Sequence, residues 1–325
     1  MHPAPSRRQF LAQLAVAGAA LPLVAEAATA KPAQDTAAPA GPAPQPGTLH
    51  VFAKPLQWLS YEETAALVAE AGYGGIDYAV RAGGHVLPEK AAQDLPRAVE
   101  AARRAGLKVE MITTDITAAN APHVETTLRT AAQLGVTCYR LGNFNYDLRL
   151  GVAGTLERLR PVVRSLAELN QRAGLHGAIQ NHTGTRVGSA VWDLHELLRD
   201  ADPRWLGLQH DIRHAVCEGG QSWPLPLRLL APWIRCTDLK DFRWQQAAGK
   251  AVVENTPIGE GIVPFDAYFK LVRELGLGGP VSVHFEYAPF EKGPDLPKAQ
   301  RRAVLLAALK KDLAALQAVR RRHLG

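Results

Sequence analysis

Short β-rich runs alternate along this chain with longer segments whose apolar residues recur at helical spacing. The short runs predict strands near Leu49–Ala53, Gly75–Val80, Lys108–Thr114, Cys138–Gly142, Gly177–Asn181, Leu206–His210, Ile234–Leu239 and Pro280–Phe285. The longer segments predict helices near Tyr61–Ala71, Leu95–Ala105, His123–Leu134, Thr155–Ala173, Ala190–Ala201, Trp223–Leu230 and Asp266–Leu275, with a last one at about Leu296–Ala318. Gly72, Gly106, Gly135, Gly174 and Gly276 stand where each helix needs a left-handed residue before the chain turns into the next strand. Eight such units in one chain is the count that closes a parallel (β/α)8 barrel, the TIM barrel, as a single domain. An open doubly wound sheet would want a glycine-rich phosphate turn after the first strand, and Ala53-Lys54-Pro55-Leu56 supplies none.

The N-terminus lacks this rhythm. Ser6-Arg7-Arg8-Gln9-Phe10-Leu11 resembles the twin-arginine export signal and leads into a mostly apolar run that ends near Val24. An ordinary general-secretion signal is the alternative, since it too begins with basic residues. The run is too short and too alanine-rich for a stable membrane span. The chain therefore divides into a signal peptide (1–27, cleaved at Ala27 or Ala30), an Ala/Pro-rich linker (28–47) and the barrel (48–325). The expected partner in export is the twin-arginine machinery, and the expected location is the periplasm or the exterior.

Charge and cysteines narrow the picture by exclusion. The formal charge is +6, with much of the excess in Arg7-Arg8 and in the last helix, where basic residues complement the helix dipole. Basic residues interleaved with aromatics on one surface are missing, so a nucleic-acid partner is not expected. Cys138, Cys217 and Cys236 are odd in number and form no CxxC pair, which argues against a disulfide framework and a cysteine zinc site, although one pair could oxidise after export. Oligomeric state is not legible.

In a barrel of this type the chemistry gathers where the strands end, because the βα loops build the site there. Those ends are crowded with polar groups: Asp77 and Arg81 to His85; Thr113 to Asp115; Arg140 to Asn143; Gln180-Asn181-His182; Gln209 to His214; Asp238 to Asp241; and His284-Phe285-Glu286-Tyr287. Residues two apart share a strand face, so Gln180 with His182, Gln209 with Asp211, Asp238 with Lys240, and His284 with Glu286 are expected to face one mouth. Converging carboxylates, imidazoles and amides suit a divalent cation and a hydroxylated ligand. Taken singly, each of these groups reads as a cap or loop anchor: Asp77 capping a turn, Asp115 holding its loop, Asp241 pairing with a nearby base.

These residues resemble the xylose-isomerase-like barrel superfamily, which includes sugar phosphate isomerases/epimerases, the ketose 3-epimerases and endonuclease IV. The resemblance covers nearly all of the mature chain. It is carried by Gln180-Asn181-His182-Thr183-Gly184, Asp211-Ile212-Arg213-His214, Asp238-Leu239-Lys240-Asp241, the stretch from Ile258 to Phe265 around Gly259-Glu260-Gly261, and His284-Phe285-Glu286-Tyr287. It implies a metal held by Gln180, Asp211, Asp238 and Glu286, with His214 binding substrate. Two of these positions depart from the ketose 3-epimerase pattern: Gln180 stands for a glutamate and Asp238 for a histidine. A glutamine cannot take a proton, so a two-carboxylate relay is broken. The implied cofactor is manganese or magnesium first, with zinc, iron or cobalt behind.

The expected function is that of a sugar isomerase/epimerase-like enzyme, with metal-assisted abstraction of a proton beside a sugar carbonyl. Glu286 is the expected base, His182 and His214 are further proton carriers, and Lys240 stabilises the enolate oxygen. Lys54, Arg81, His85, Arg140, Asn143 and His284 are expected to bind the carbohydrate, with Trp223, Trp244 and Tyr287 as stacking candidates. The alternatives are β-elimination from an oxidised sugar or glycoside, and a non-catalytic exported sugar-binding barrel. A phosphodiesterase would need more His and Glu ligands than the chain provides.

Overall fold

The computed structural model describes residues 47–291 and 295–324, so the signal peptide and nearly all of the linker lie outside the described residues. Seven strands follow one another from the start of the barrel: β1 (Leu49–Phe52), β2 (Gly75–Val80), β3 (Met111–Thr114), β4 (Cys138–Arg140), β5 (His176–Gln180), β6 (Leu206–Asp211) and β7 (Ile234–Leu239). A hairpin, β8 (Asp241–Ala247) and β9 (Lys250–Thr256), interrupts the series before the last barrel strand, β10 (Val281–Val283). β10 pairs in parallel with both β7 and β1, which closes the eight-stranded barrel.

The helices are α1 (Tyr61–Ala71), α2 (Ala91–Arg104), α3 (Val124–Gln133), α4 (Gly151–Ala173), α5 (Trp192–Leu198), α6 (Ile212–Gly219), α7 (Pro224–Leu230), α8 (Phe265–Glu274) and α9 (Lys298–His323). α1 shows how the sequence sets its own limits. Ser60 accepts from the Glu63 amide while Glu63 reaches back to the Ser60 amide, a reciprocal cap. Gly72 then ends the helix at φ 93°, a conformation that a Cβ would strain.

Alternation along the strands divides the buried residues in two. One face packs on the helices as the main apolar core, with Val51, Ile76, Tyr78, Ile112, Leu206, Leu208 and Leu239 among its members. The other face points into the barrel, where Met111, Cys138, Ala178 and Cys236 form a small separate cluster. One step further along the same faces come Thr113, Arg140, Gln180 and Asp238, so the apolar plug is the floor beneath a polar layer. The three cysteines are free thiols.

Every expected strand and helix is present, with adjusted ends. Two further elements were not foreseen. α6 starts directly after β6 with no intervening loop, and Asp211 caps it by accepting from the His214 amide. The hairpin turns at Ala248 and Gly249, both at positive φ, which suits the twist of a two-residue connection. Among the described residues no helix is long and apolar enough to cross a membrane.

Candidate active site

Parallel register sets the inward polar side chains at matched heights: Gln180 opposite Gln209, Asp211 opposite Asp238, and Asp238 opposite Ser282. At the lowest level, the fully buried Asp77 carboxylate accepts from Thr113 Oγ1 at 3.0 Å and Ser282 Oγ at 2.7 Å. Burial raises its pKa to about 6 despite those two donors. Asp77 is therefore a support beneath the site, held by side chains from two other strands, and not the cap of a turn.

Above it lies a continuous charged network. Arg140 donates to Gln180 Oε1 at 2.9 Å. Gln180 Nε2 donates to Asp211 Oδ2 at 3.0 Å and also to Asp238, which accepts from Gln209 as well. Lys240 Nζ lies 3.1 Å from Asp211 Oδ2 and 3.4 Å from Glu286 Oε2. His284 sits between the remaining oxygens, with Nε2 3.3 Å from Asp238 Oδ1 and Nδ1 3.8 Å from Glu286 Oε1. Phe52 backs this histidine, its ring centroid 4.5 Å from the imidazole.

The electrostatics follow from these contacts. Burial pushes the His284 pKa down, but Asp238 and Glu286 outweigh it and bring the value to about 9, so the ring is an imidazolium at neutral pH. Burial likewise pushes the Glu286 carboxyl up, yet Lys240 and His284 hold it far below the ordinary carboxylate range. Asp211 and Asp238 are wholly buried, whereas the Glu286 side chain keeps 25 % exposure and is the carboxylate of this cluster that reaches the opening.

His182 and His214 stand on the other side of Lys240, their ring centroids 4.2 Å apart. Burial, reinforced by Lys240, lowers His182 to about 4 and His214 well below its usual value, so both rings are neutral. His214 Nδ1 lies 2.8 Å from the Asn181 carbonyl, which fixes Nδ1 as the protonated nitrogen and leaves Nε2 as an acceptor.

This donor set does not fit the divalent cation that the sequence resemblance implies. Gln180 offers its NH2 group, which has no lone pair to give, to both Asp211 and Asp238. The opposite orientation would set its oxygen against two carboxylates and its NH2 against Arg140. The ammonium of Lys240 already bridges Asp211 and Glu286. Three carboxylates, Asp211, Asp238 and Glu286, thus meet two cations, Lys240 and protonated His284, while Arg140 holds the Gln180 oxygen. Among the described residues no group of three or more His, Cys, Asp or Glu is placed to hold a metal ion.

The expected carbohydrate-binding residues are distributed unevenly. Arg140 and His284 belong to the network itself. Arg81 lies at its edge, half-buried with its guanidinium carbon 5.6 Å from the Phe52 ring centroid. Asn143 is exposed on the loop after β4. Lys54 pairs with Glu291 at 2.7 Å. His85 is taken up by packing, bound to the Leu59 carbonyl and set against Tyr61 and Tyr78. Trp223 and Tyr287 are buried as well, and Tyr287 donates to Asp312 at 2.8 Å, so only Trp244 of the three aromatic candidates is well exposed.

Asp241 differs most from its expected role. Among the described residues no basic side chain pairs with its carboxylate; it accepts from the backbone amides of Phe242, Gly259, Gly261 and Val263 at 2.8–3.1 Å. A Cβ at Gly261 would lie 2.2 Å from Asp241 Oδ1 and 2.3 Å from the Phe242 carbonyl oxygen. The Gly259-Glu260-Gly261 stretch is thus a loop clasped by Asp241. Phe52 and Ser282 also serve the site without having been singled out, although inward alternation on their strands was the available signal.

Structural comparison places this geometry among known barrels. A 3-keto-D-glucoside 4-epimerase from E. coli superposes with a TM-score of 0.58 at 12% identity, covering 81% of this chain and 98% of that one. A D-psicose 3-epimerase from Clostridium cellulolyticum H10, solved with D-tagatose, gives 0.60 at 13% identity, covering 83% and 99%. A xylose isomerase-like TIM barrel protein from Mycobacterium smegmatis in complex with magnesium gives 0.54 at 17% identity, covering 83% and 98%. At these identities the likeness is one of fold. No curated protein matches the chain. The family model for the xylose isomerase-like TIM barrel matches residues 65–309, and with the closed barrel it shows that this chain belongs to that family.

Proposed function

We propose that this barrel is a sugar isomerase/epimerase-like enzyme that binds a carbonyl-bearing carbohydrate at its mouth and moves a proton at the carbon beside the carbonyl. The observation that carries the reading is Glu286: a carboxylate at the opening, 3.4 Å from the Lys240 ammonium and 3.8 Å from the His284 ring. A carbonyl oxygen seated against Lys240 would share the charge that now holds Glu286, and its basicity would rise as the substrate binds. The C–H electron pair then moves toward the carbonyl oxygen as an enolate, stabilised by Lys240 and His284, while Glu286 takes the proton. Return of that proton to the former carbonyl carbon, as the hydroxyl proton on the α-carbon passes to the former carbonyl oxygen, gives isomerisation. Epimerisation needs delivery to the opposite face, and His182 is the residue for that role, taking up a solvent proton and passing it to the carbon while Glu286 releases its own to solvent. The names of two structural neighbours, both sugar epimerases, support the substrate class. The Ser6–Leu11 motif adds export, with the reaction taking place outside the cytoplasm.

One observation favours a second outcome from the same enolate. Gln180 is a neutral amide committed to Arg140, Asp211 and Asp238, so a second carboxylate base is missing at that position. β-Elimination needs only one base: Glu286 takes the α-proton, the C–O bond to the β-substituent breaks, and the departing oxygen recovers the proton. Incubation in D2O with ketoses and 3-keto-glycosides, followed by NMR, tests both. Deuterium at the carbon beside the carbonyl, or an enone product, is expected from the natural protein. Glu286→Gln should slow either by about 100-fold or more. Neither exchange nor elimination across the panel would refute the reading.

A further inference from the structure

We propose that Lys240, with Gln180 and Arg140, replaces the divalent cation of this barrel site, so that the mouth carries its positive charge on the chain and works without metal. The inference rests on the mouth being the reaction site, and it deepens that reading by fixing where the charge comes from. Lys240 Nζ stands between two carboxylate oxygens, one at the end of β6 and one on the loop after β10, at 3.1 Å from Asp211 and 3.4 Å from Glu286, and its side chain is only 4 % exposed. A metal bound to Asp211 and Glu286 would need the volume that this ammonium fills. The neighbouring positions agree with that placement. A glutamate at position 180 would bring a fourth carboxylate beside Asp211 and Asp238; the amide brings two N–H donors instead, and Arg140 satisfies its oxygen. Fixed charge of this kind needs no loading and is insensitive to metal supply. It also keeps N–H donors where a carbonyl oxygen would bind, since an ammonium has three.

Lys240 fills the cation's place and Gln180 removes a ligand carboxylate, so these two are changed together to undo the replacement. Titration of metal-free natural protein with Mn2+, read by calorimetry and by the Mn2+ EPR signal, is expected to show no site up to millimolar concentration. One equivalent bound with a Kd on the order of 10 µM or tighter would overturn the proposal. Because this arm uses the natural chain, it holds whatever the variants do. The double variant Lys240→Ala with Gln180→Glu, checked for native circular dichroism, should bind Mn2+ at least about 100-fold more tightly than the natural protein. No gain in the folded double variant would overturn the assignment of Lys240 to the cation's place. An equal gain from Gln180→Glu alone would do the same, since the lysine would then not be in the way. Proton exchange, where present, should persist in chelator, and chelator-sensitive exchange restored by Mn2+ would count against the inference. A protein without any exchange sinks the proposed reaction but leaves the metal titrations decisive, so the two failures are distinguishable.

Discussion

Replacing Asp241 by alanine removes one acceptor group that four backbone amides share. Two of those amides, on Phe242 and Val263, belong to buried residues, while Gly259 and Gly261 have access to solvent. Water can take over at the two glycines, so the loss concentrates on the two buried donors. A buried donor deprived of a charged acceptor costs roughly 1.5–3 kcal/mol, which gives about 3–6 kcal/mol for the substitution. Against a typical total of about 5–15 kcal/mol this is a large share. Urea denaturation followed by tryptophan fluorescence would show the midpoint falling while the slope is kept. Asp241→Asn retains one acceptor oxygen and should lose about half as much. The clasp also anchors the base of the β8–β9 hairpin next to Lys240, so activity should fall further than stability explains. A loss under about 1 kcal/mol for Asp241→Ala would refute the reasoning, because it would mean that the four amides find other partners at little cost.

Two further outcomes follow from the packing. Burial raises the Asp312 carboxyl to about 7 even though Tyr287 donates to it. A raised carboxyl contributes stability that is complete below the unfolded value near 4 and is lost as the pH climbs through about 7. Asp312→Asn should flatten the stability profile between those limits, and superimposable urea midpoints for the two proteins across pH 4–8 would contradict this. Gly261→Ala places a methyl group 2.2 Å from Asp241 Oδ1 and 2.3 Å from a backbone carbonyl, and should lower stability by roughly 1–3 kcal/mol. An unchanged thermal midpoint would show that the loop shifts freely.

Much of the architecture was legible because barrel formation writes a strong pattern into the chain. β2, β5 and β7 stand within a residue of the expected spans, since an apolar run bounded by helix caps has few other readings. Gly72 and Gly174 closed their helices as predicted for the same local reason. The short helix α6 was missed because its cap, Asp211, is also the last residue of a strand and carried an inward role in the sequence pattern. The hairpin was missed because Trp244, Val252 and Val253 lie on an exposed ribbon that lacks the buried alternation expected of a strand. At the site, alternation correctly brought Gln180, Asp211, Asp238, Lys240, His284 and Glu286 together. Their pairings were not legible, because a strand-end position fixes a direction and not a partner.

The sequence by itself determined the eightfold β/α order and the set of polar residues that face the mouth, because local periodicity and capping encode these directly, and its strand-end motifs carried the resemblance to the family. Only the tertiary structure decided how those residues divide their charge. Whether Asp211 and Glu286 hold a metal or an ammonium depends on where the flexible Lys240 chain comes to rest and which way the Gln180 amide turns. Those choices are made by packing and electrostatics among six strands at once, and no window of sequence contains them.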